Sequence, residues 1–212
     1  MEKKAYTYLA ALCSRREICS GQARQILKRF LQKKMAASST GTPSADSSQS
    51  AIIDSVIKML IGDSFIDDRR FLAAYLKDKI EFAGWGPKKI SAQLLEWGFT
   101  QKTIDEALAE RSGELNASLR KILKKKKEQL NKESSKKLEA SRAKSALKIE
   151  KLQAALDEAE GYKEQHSTYQ KLQRAKYEAS MTGKALEAAN RKKLISYGVS
   201  RGFALKDIAE LI

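Results

Sequence analysis

The stretch FIDDRRF, residues 65–71, sets two carboxylates beside two guanidinium groups between aromatic rings. Groups of these types can move a proton or hold a phosphate near a base. The spacing argues against such work. Asp67 and Asp68 open a helical pattern, and adjacent side chains on a helix diverge by about 100°, so the pair cannot share a proton or bracket one bond. The one histidine, His166, lies far off in sequence without an orienting partner and is expected to be exposed. Asp67 reads instead as a helix N-cap whose carboxylate accepts orphan backbone N–H groups. Asp68 adds negative charge where the helix dipole favours it. Ile66 and Phe71 take the hydrophobic-staple positions, and Arg70 is expected to pair with a neighbouring helix. No catalytic residue is assigned.

GWGPKKI (84–90) has the look of a phosphate loop without its spacing, and no strand precedes it. Gly84, Gly86 and Pro87 read as a joint, with Pro87 at the first position of a helix, where its missing N–H costs nothing. Lys88 and Lys89 then stand at a helix N-terminus, a place suited to an anionic partner. KKKK (124–127) keeps two readings open, a solvated helix face and a polyanion contact that releases counterions. Trp85, Trp97 and Phe99 could stack on bases, but their helical spacing fits a core. Cys13, Cys19 and a lone histidine do not make a four-ligand zinc site, so two reduced thiols in a cytosolic protein are expected, with no metal and no cofactor. No apolar run reaches membrane-spanning length, and MEKKAYTYLAALC lacks a leader's cleavage pattern, so a cytoplasmic, membrane-free protein is expected.

The elements that hold these residues all follow helical spacing. Tyr6, Leu9 and Leu12 give a first helix ending near Arg15 and Arg16, and Ala23, Ile26, Leu27 and Phe30 give a second from about Ser20. The low-complexity stretch at 37–50 reads as a flexible linker. A third helix carries Ile53, Val56, Ile57 and Leu60 and stops at Gly62. The FIDDRRF helix follows, then one with Ile90, Leu94 and Trp97 capped by Gly98, then one capped by Thr100 and carrying Ile104 and Leu108. GFTQKTIDEAL (98–108) aligns without gaps to GFALKDIAELI (202–212), and Ala23 and Leu27 echo Ile90 and Leu94. Tandem three-helix units follow from these repeats.

Four domains are expected on this reading: a basic first unit at 1–36, the linker at 37–50, a central unit at 51–110 and a third unit at 111–212. Within the third, Ile149, Leu152, Leu156 and Ala159 form a short coiled-coil-like seam that Gly161 interrupts. A second stretch through Tyr169 and Leu172 runs to a turn at SMTG, giving a hairpin-like insertion at about 134–186.

The net charge of +15 on 212 residues points to a polyanion partner. Its distribution is uneven. Residues 1–36 hold nine Lys/Arg against two Glu, 51–110 hold eight basic against ten acidic residues, and 111–212 hold 24 against 13. The basic ends are expected to meet the partner.

Residues 65–99, FIDDRRFLAAYLKDKIEFAGWGPKKISAQLLEWGF, resemble the central signature of the RecX family, bacterial regulators of the RecA recombinase. RKKLISYGVSRGFALKDI (191–208) resembles the family's final unit and SRREICSGQARQIL (14–27) its first, about a third of the chain in all. The resemblance implies an all-α, elongated, curved protein of three tandem three-helix repeats. It also implies a non-enzymatic activity: binding along the groove of RecA–single-stranded-DNA filaments and restraining extension, ATP hydrolysis and strand exchange. Asp67, Asp68, Arg70, Phe71, Gly86, Pro87, Leu94 and Gly98 fall on family positions in the middle unit, as do Lys193, Arg201, Gly202 and Phe203 in the last. Most of these are expected to serve folding. Expected contacts to the filament, or to single-stranded or duplex DNA, are the exposed cations Arg15, Arg16, Arg24, Lys88, Lys89, Arg191, Lys192 and Arg201, on a monomer. The alternative is a general basic nucleic-acid-binding helical protein without a RecA partnership. The linker and the insertion depart from the family pattern.

Overall fold

The computed structural model describes residues 1–36 and 46–212, and every regular element among them is an α-helix. Two compact units emerge, Met1–Ser118 and Leu119–Ile212.

In the first unit, α1 (Glu2–Cys13), α2 (Ser20–Ala36) and α3 (Asp46–Gly62) close around one core. Leu9, Ile18, Leu27, Leu31, Val56, Leu60 and Ile66 supply its fully excluded or nearly excluded side chains. The apolar stripe of α3 therefore completes the first three-helix set and is not part of a central unit that begins at residue 51. A stripe shows which face is buried and not which neighbour buries it, which is why the pattern misled. The expected linker also shifts in meaning. Residues 37–45 lie outside the described residues, and Asp46–Ser50 already belong to α3, so the Ser-rich stretch falls within the first set. Asp and Ser favour helix starts, which fits the opening of α3.

The second set is α4 (Asp68–Glu81), α5 (Pro87–Glu96) and α6 (Gln101–Glu110). Phe71, Leu72, Leu76 and Ile80 of α4 are buried, with Ile90 and Leu94 of α5 and Ile104 and Leu108 of α6. Local chemistry sets each boundary. Gly86 and Pro87 occupy N-cap and N1 of α5, and the Thr100 side chain accepts from the Thr103 N–H at 3.3 Å to start α6.

The second unit is a long hairpin plus a short closing helix. Helix α7 runs from Ser112 to Asp157, its first turns belonging to the first unit, and α8 runs from Tyr162 to Ser200. Their contacts fix an antiparallel register. The Lys126 ammonium lies 5.7 Å from the centroid of the Tyr197 ring, Asn190 donates to the Ser134 hydroxyl at 2.8 Å, and Lys148 pairs with Glu178 at 3.6 Å. At the tip the Gln165 amide donates to the Ala159 carbonyl at 2.8 Å and Gly161 N-caps α8. The expected turn at SMTG is absent, because α8 passes straight through it. Gly183 keeps a helical φ, and one interior glycine costs only about 1 kcal/mol against Ala, too little to break a long packed helix. The stretch expected as a hairpin-like insertion at 134–186 is indeed a helical hairpin that turns at Gly161, but it has no break at either boundary and forms the distal part of two continuous helices.

The repeated GF segment has a physical basis. Gly98 (φ 85) and Gly202 (φ 91) adopt the left-handed conformation that ends a helix cheaply only in glycine. The next N–H returns to the carbonyl five residues back, Phe99 to Leu94 at 3.1 Å and Phe203 to Gly198 at 3.2 Å. Ile104 and Ile208 then plug the two cores at matching offsets, both fully buried. The helices that lead into the two copies differ where Gly198 stands in the place of Leu94. A Cβ on Gly198 would lie 2.6 Å from Cδ1 of Ile208, so α9 (Leu205–Ala209) sits closer on α8 than a leucine there would allow.

Candidate polyanion interface

The acids of FIDDRRF are engaged in structure. Asp67 Oδ1 accepts the backbone N–H groups of Arg69 at 2.9 Å and Arg70 at 3.0 Å. Those bonds, that of Arg70 foremost, hold its carboxyl below the usual range. Asp68 does more than favour its own helix dipole. It reaches to the start of α2, accepting from the Ser20 N–H at 2.7 Å and the Ser20 hydroxyl at 2.5 Å. One carboxylate therefore caps a helix 48 residues away and ties the first set to the second. Arg70 extends the clasp, its Nε donating to Glu17 at 2.8 Å and its Nη2 to the Ser64 carbonyl at 3.4 Å. Beside them α2 touches α5 so closely that a Cβ on Gly21 would stand 1.7 Å from the Trp97 carbonyl oxygen.

Phe71 anchors an aromatic cluster behind the clasp. Its ring lies 5.6 Å from Tyr75, 5.7 Å from Trp97 and 6.3 Å from Phe99. Trp97 and Phe99 accordingly pack with protein rings. Burial pushes the Tyr75 phenol up to about 12, with the Asp78 charge adding to it, and its buried hydroxyl has no hydrogen-bond partner among the described residues. Cys13 and Cys19 are free thiols, and burial raises the pKa of both, which favours the protonated form. Among the described residues no cluster of His, Cys, Asp and Glu could hold a metal, and no helix is long and apolar enough to cross a membrane.

The expected contact cations divide into three settings. Arg15 and Arg16 are exposed on the turn between α1 and α2. Arg24 is different, because its guanidinium pairs with Asp54 of α3 at 2.6 Å, which answers its charge inside the first set. Around the start of α5, Lys88 is exposed, while the Lys89 ammonium lies 4.4 Å and that of Lys79 5.4 Å from the Trp85 ring centroid. Gly86 offers no side-chain cap there, so the first amides of α5 remain directed at the same cationic corner. Lys79 also pairs with Asp78 at 2.7 Å.

In the second unit a cleft of about 570 Å³ lies between α7 and α8. Lys127, Lys184 and Arg191 line it with Asn131 and Asn190, and Glu187 is its one carboxylate side chain among the described residues. Lys192 and Lys193 are exposed one and two residues on from Arg191. The Arg201 guanidinium lies 5.1 Å from the Tyr197 ring centroid, the ring that Lys126 also approaches. Lys184 and Tyr197 were missed in the sequence reading. Only the antiparallel register brings Lys184 opposite Lys127, and no local pattern announces that.

Three-helix sets in tandem, clasped by side chains from one set to the next, make this an all-α helical repeat protein. Residues 67–108, which hold α4 to α6, match the family model described as RecX, second three-helix domain. Over this stretch the chain is similar to the RecX family. Among similar proteins is a regulatory protein RecX of Geobacillus kaustophilus, 34% identical over 85 residues, which span 40% of this chain and 32% of that protein. Another, of Bacillus licheniformis, is 30% identical over 113 residues, 51% of this chain and 43% of that protein. The matched stretches thus span less than half the length of either relative. A crystal structure of regulatory protein RecX shares the fold, with a TM-score of 0.53 at 15% identity over 99% of this chain and 70% of that one.

Proposed function

We propose that this chain regulates the RecA recombinase in the cytoplasm, as a monomer without enzymatic activity of its own. It binds RecA–single-stranded-DNA filaments along their groove and slows filament extension, ATP hydrolysis and strand exchange. The observation that carries this reading is the RecX match over α4 to α6, and the surface chemistry supports it. The acids that suggested bond-making are held in caps and clasps, while the cations crowd the turn after α1, the start of α5 and the cleft of the second unit. Arg15, Arg16, Lys88, Lys89, Arg191, Lys192 and Arg201 are the contacts in this reading, and Arg24 is a joint. Charged grooves of this kind suit a polyanionic track, whose grip weakens steeply with salt.

A general nucleic-acid-binding role has one observation in its favour, the net charge of +15. Cosedimentation separates the two. The RecA reading expects the chain to pellet with RecA–DNA filaments at a salt concentration where it no longer binds bare single strands. Equal retention on filaments and on bare DNA would favour the general binder.

A further inference from the structure

The Tyr8 ring of α1 stacks on Phe30 of α2, with centroids 4.6 Å apart and planes within 15°. Tyr8 is 42% exposed while Phe30 is half-buried against the first core, so the Tyr8 ring is the outer member of the pair. An open cleft of about 520 Å³ surrounds it, lined by Tyr8, Ile26, Arg29, Phe30, Lys33 and Lys34. The five α2 residues fall at i, i+3, i+4, i+7 and i+8, which places them on one helix face. That face has an aromatic floor and a cationic rim. The Lys34 ammonium stands 6.0 Å from the Phe30 centroid.

No carboxylate lines this cleft among the described residues. The two acids of residues 1–36 are turned to other work, Glu2 accepting from the Ser55 hydroxyl and Glu17 from Arg70. Placement of Lys33 and Lys34 in the last turn of α2 suits the helix dipole. The dipole does not account for Arg29 or for a ring stack left open to water. An aromatic pair that water can reach, bordered by three cations, matches the two surfaces of a single nucleic-acid strand: the base face and the phosphate. An acidic protein segment would use the cations and leave the rings without a planar partner.

We propose that this face is a stacking site for an unpaired nucleobase, which extends the Tyr8–Phe30 stack while Arg29, Lys33 and Lys34 hold the flanking phosphates of a single strand. The site adds a nucleic-acid contact of its own to the filament reading. Its test contains no recombinase, so its failure and the failure of that reading are separable.

The experiment measures fluorescence anisotropy of a labelled oligothymidylate and of an abasic strand of equal length, titrated with the full chain at low salt. Both strands carry the same phosphates. The native chain is expected to bind the base-bearing strand about tenfold more tightly, a single stacked base's worth. Tyr8→Ala removes that preference and leaves abasic affinity unchanged, while Tyr8→Phe keeps it. Lys33→Gln weakens both strands alike and lowers the salt slope by about 1. Equal affinity of the native chain for the two strands overturns the proposal without recourse to any variant. So does a Tyr8→Ala loss that is the same on both strands.

Discussion

Replacing Asp68 by Ala removes both acceptors of Ser20 at once, the one on its N–H at 2.7 Å and the one on its hydroxyl at 2.5 Å. The local cost has two parts. Loss of a side-chain cap at a helix start costs about 1 kcal/mol. The Ser20 N–H is also part-buried, and a donor left without its charged acceptor adds about 1–2 kcal/mol. A total of about 2–3 kcal/mol lowers the folded-to-unfolded ratio of the first unit by a factor of 30 or so at its lower end. Trp85 and Trp97 are the two tryptophans of the chain and both lie in that unit, so urea unfolding followed by tryptophan emission reports on it alone. Ser20→Ala and the double variant complete a thermodynamic cycle. The clasp predicts a coupling energy of about 1 kcal/mol between the two positions, and Asp68→Asn, which keeps an acceptor for the N–H, is expected to cost less than Asp68→Ala. Additive losses would show that the two side chains do not act on each other. An Asp68→Ala protein of native stability that failed to slow RecA where the native chain slows it would return this carboxylate to the functional surface.

Gly21→Ala would set a Cβ 1.7 Å from the Trp97 carbonyl oxygen, backbone against backbone, and is expected to cost more than the roughly 1–3 kcal/mol of ordinary overpacking in the same urea assay. Two glycines of α8 should respond in opposite directions. A Cβ at Gly183 meets nothing within 4 Å, so Gly183→Ala is expected to stabilise the second unit by about 0.5–1 kcal/mol, whereas Gly198→Ala crowds Ile208 and lowers its melting temperature by circular dichroism. The Tyr75 phenol is raised in the fold to about 12, so its contribution is complete below its unfolded pKa near 10 and is lost as pH rises through about 12. Tyr75→Phe should flatten the alkaline loss of stability and cost little at neutral pH, since the hydroxyl it removes has no partner.

Residues that act on their own helix were legible in the sequence, because the chemistry of a cap or a stop is written within a few positions. Asp67 as N-cap, Pro87 at the first position of α5, and Gly98 and Gly202 as helix stops all belong to this class. Partnerships at a distance were not. Nothing around Asp68 points to Ser20, nothing around Arg24 points to Asp54, and the stripe of α3 does not say that α1 and α2 will cover it. The hairpin and its break at Gly161 were legible, but the end of its second arm was misplaced for an energetic reason. Gly183 and its neighbours look like a turn, but the small local penalty of one glycine is outweighed by packing along the seam, where Leu172 and Ala175 are buried. The cleft cations follow the same rule, since Lys127, Lys184 and Arg191 meet only once the register of α7 on α8 is set.

Regulation of RecA by this chain, the function proposed above, is open to a direct assay. DNA-stimulated ATP hydrolysis by RecA, measured at fixed single-stranded DNA while the chain is titrated in, tests it most directly. A regulator of RecA is expected to lower the rate from one chain per recombinase or less, with the Asp67→Asn protein still inhibiting. An unchanged rate at saturating chain would contradict it.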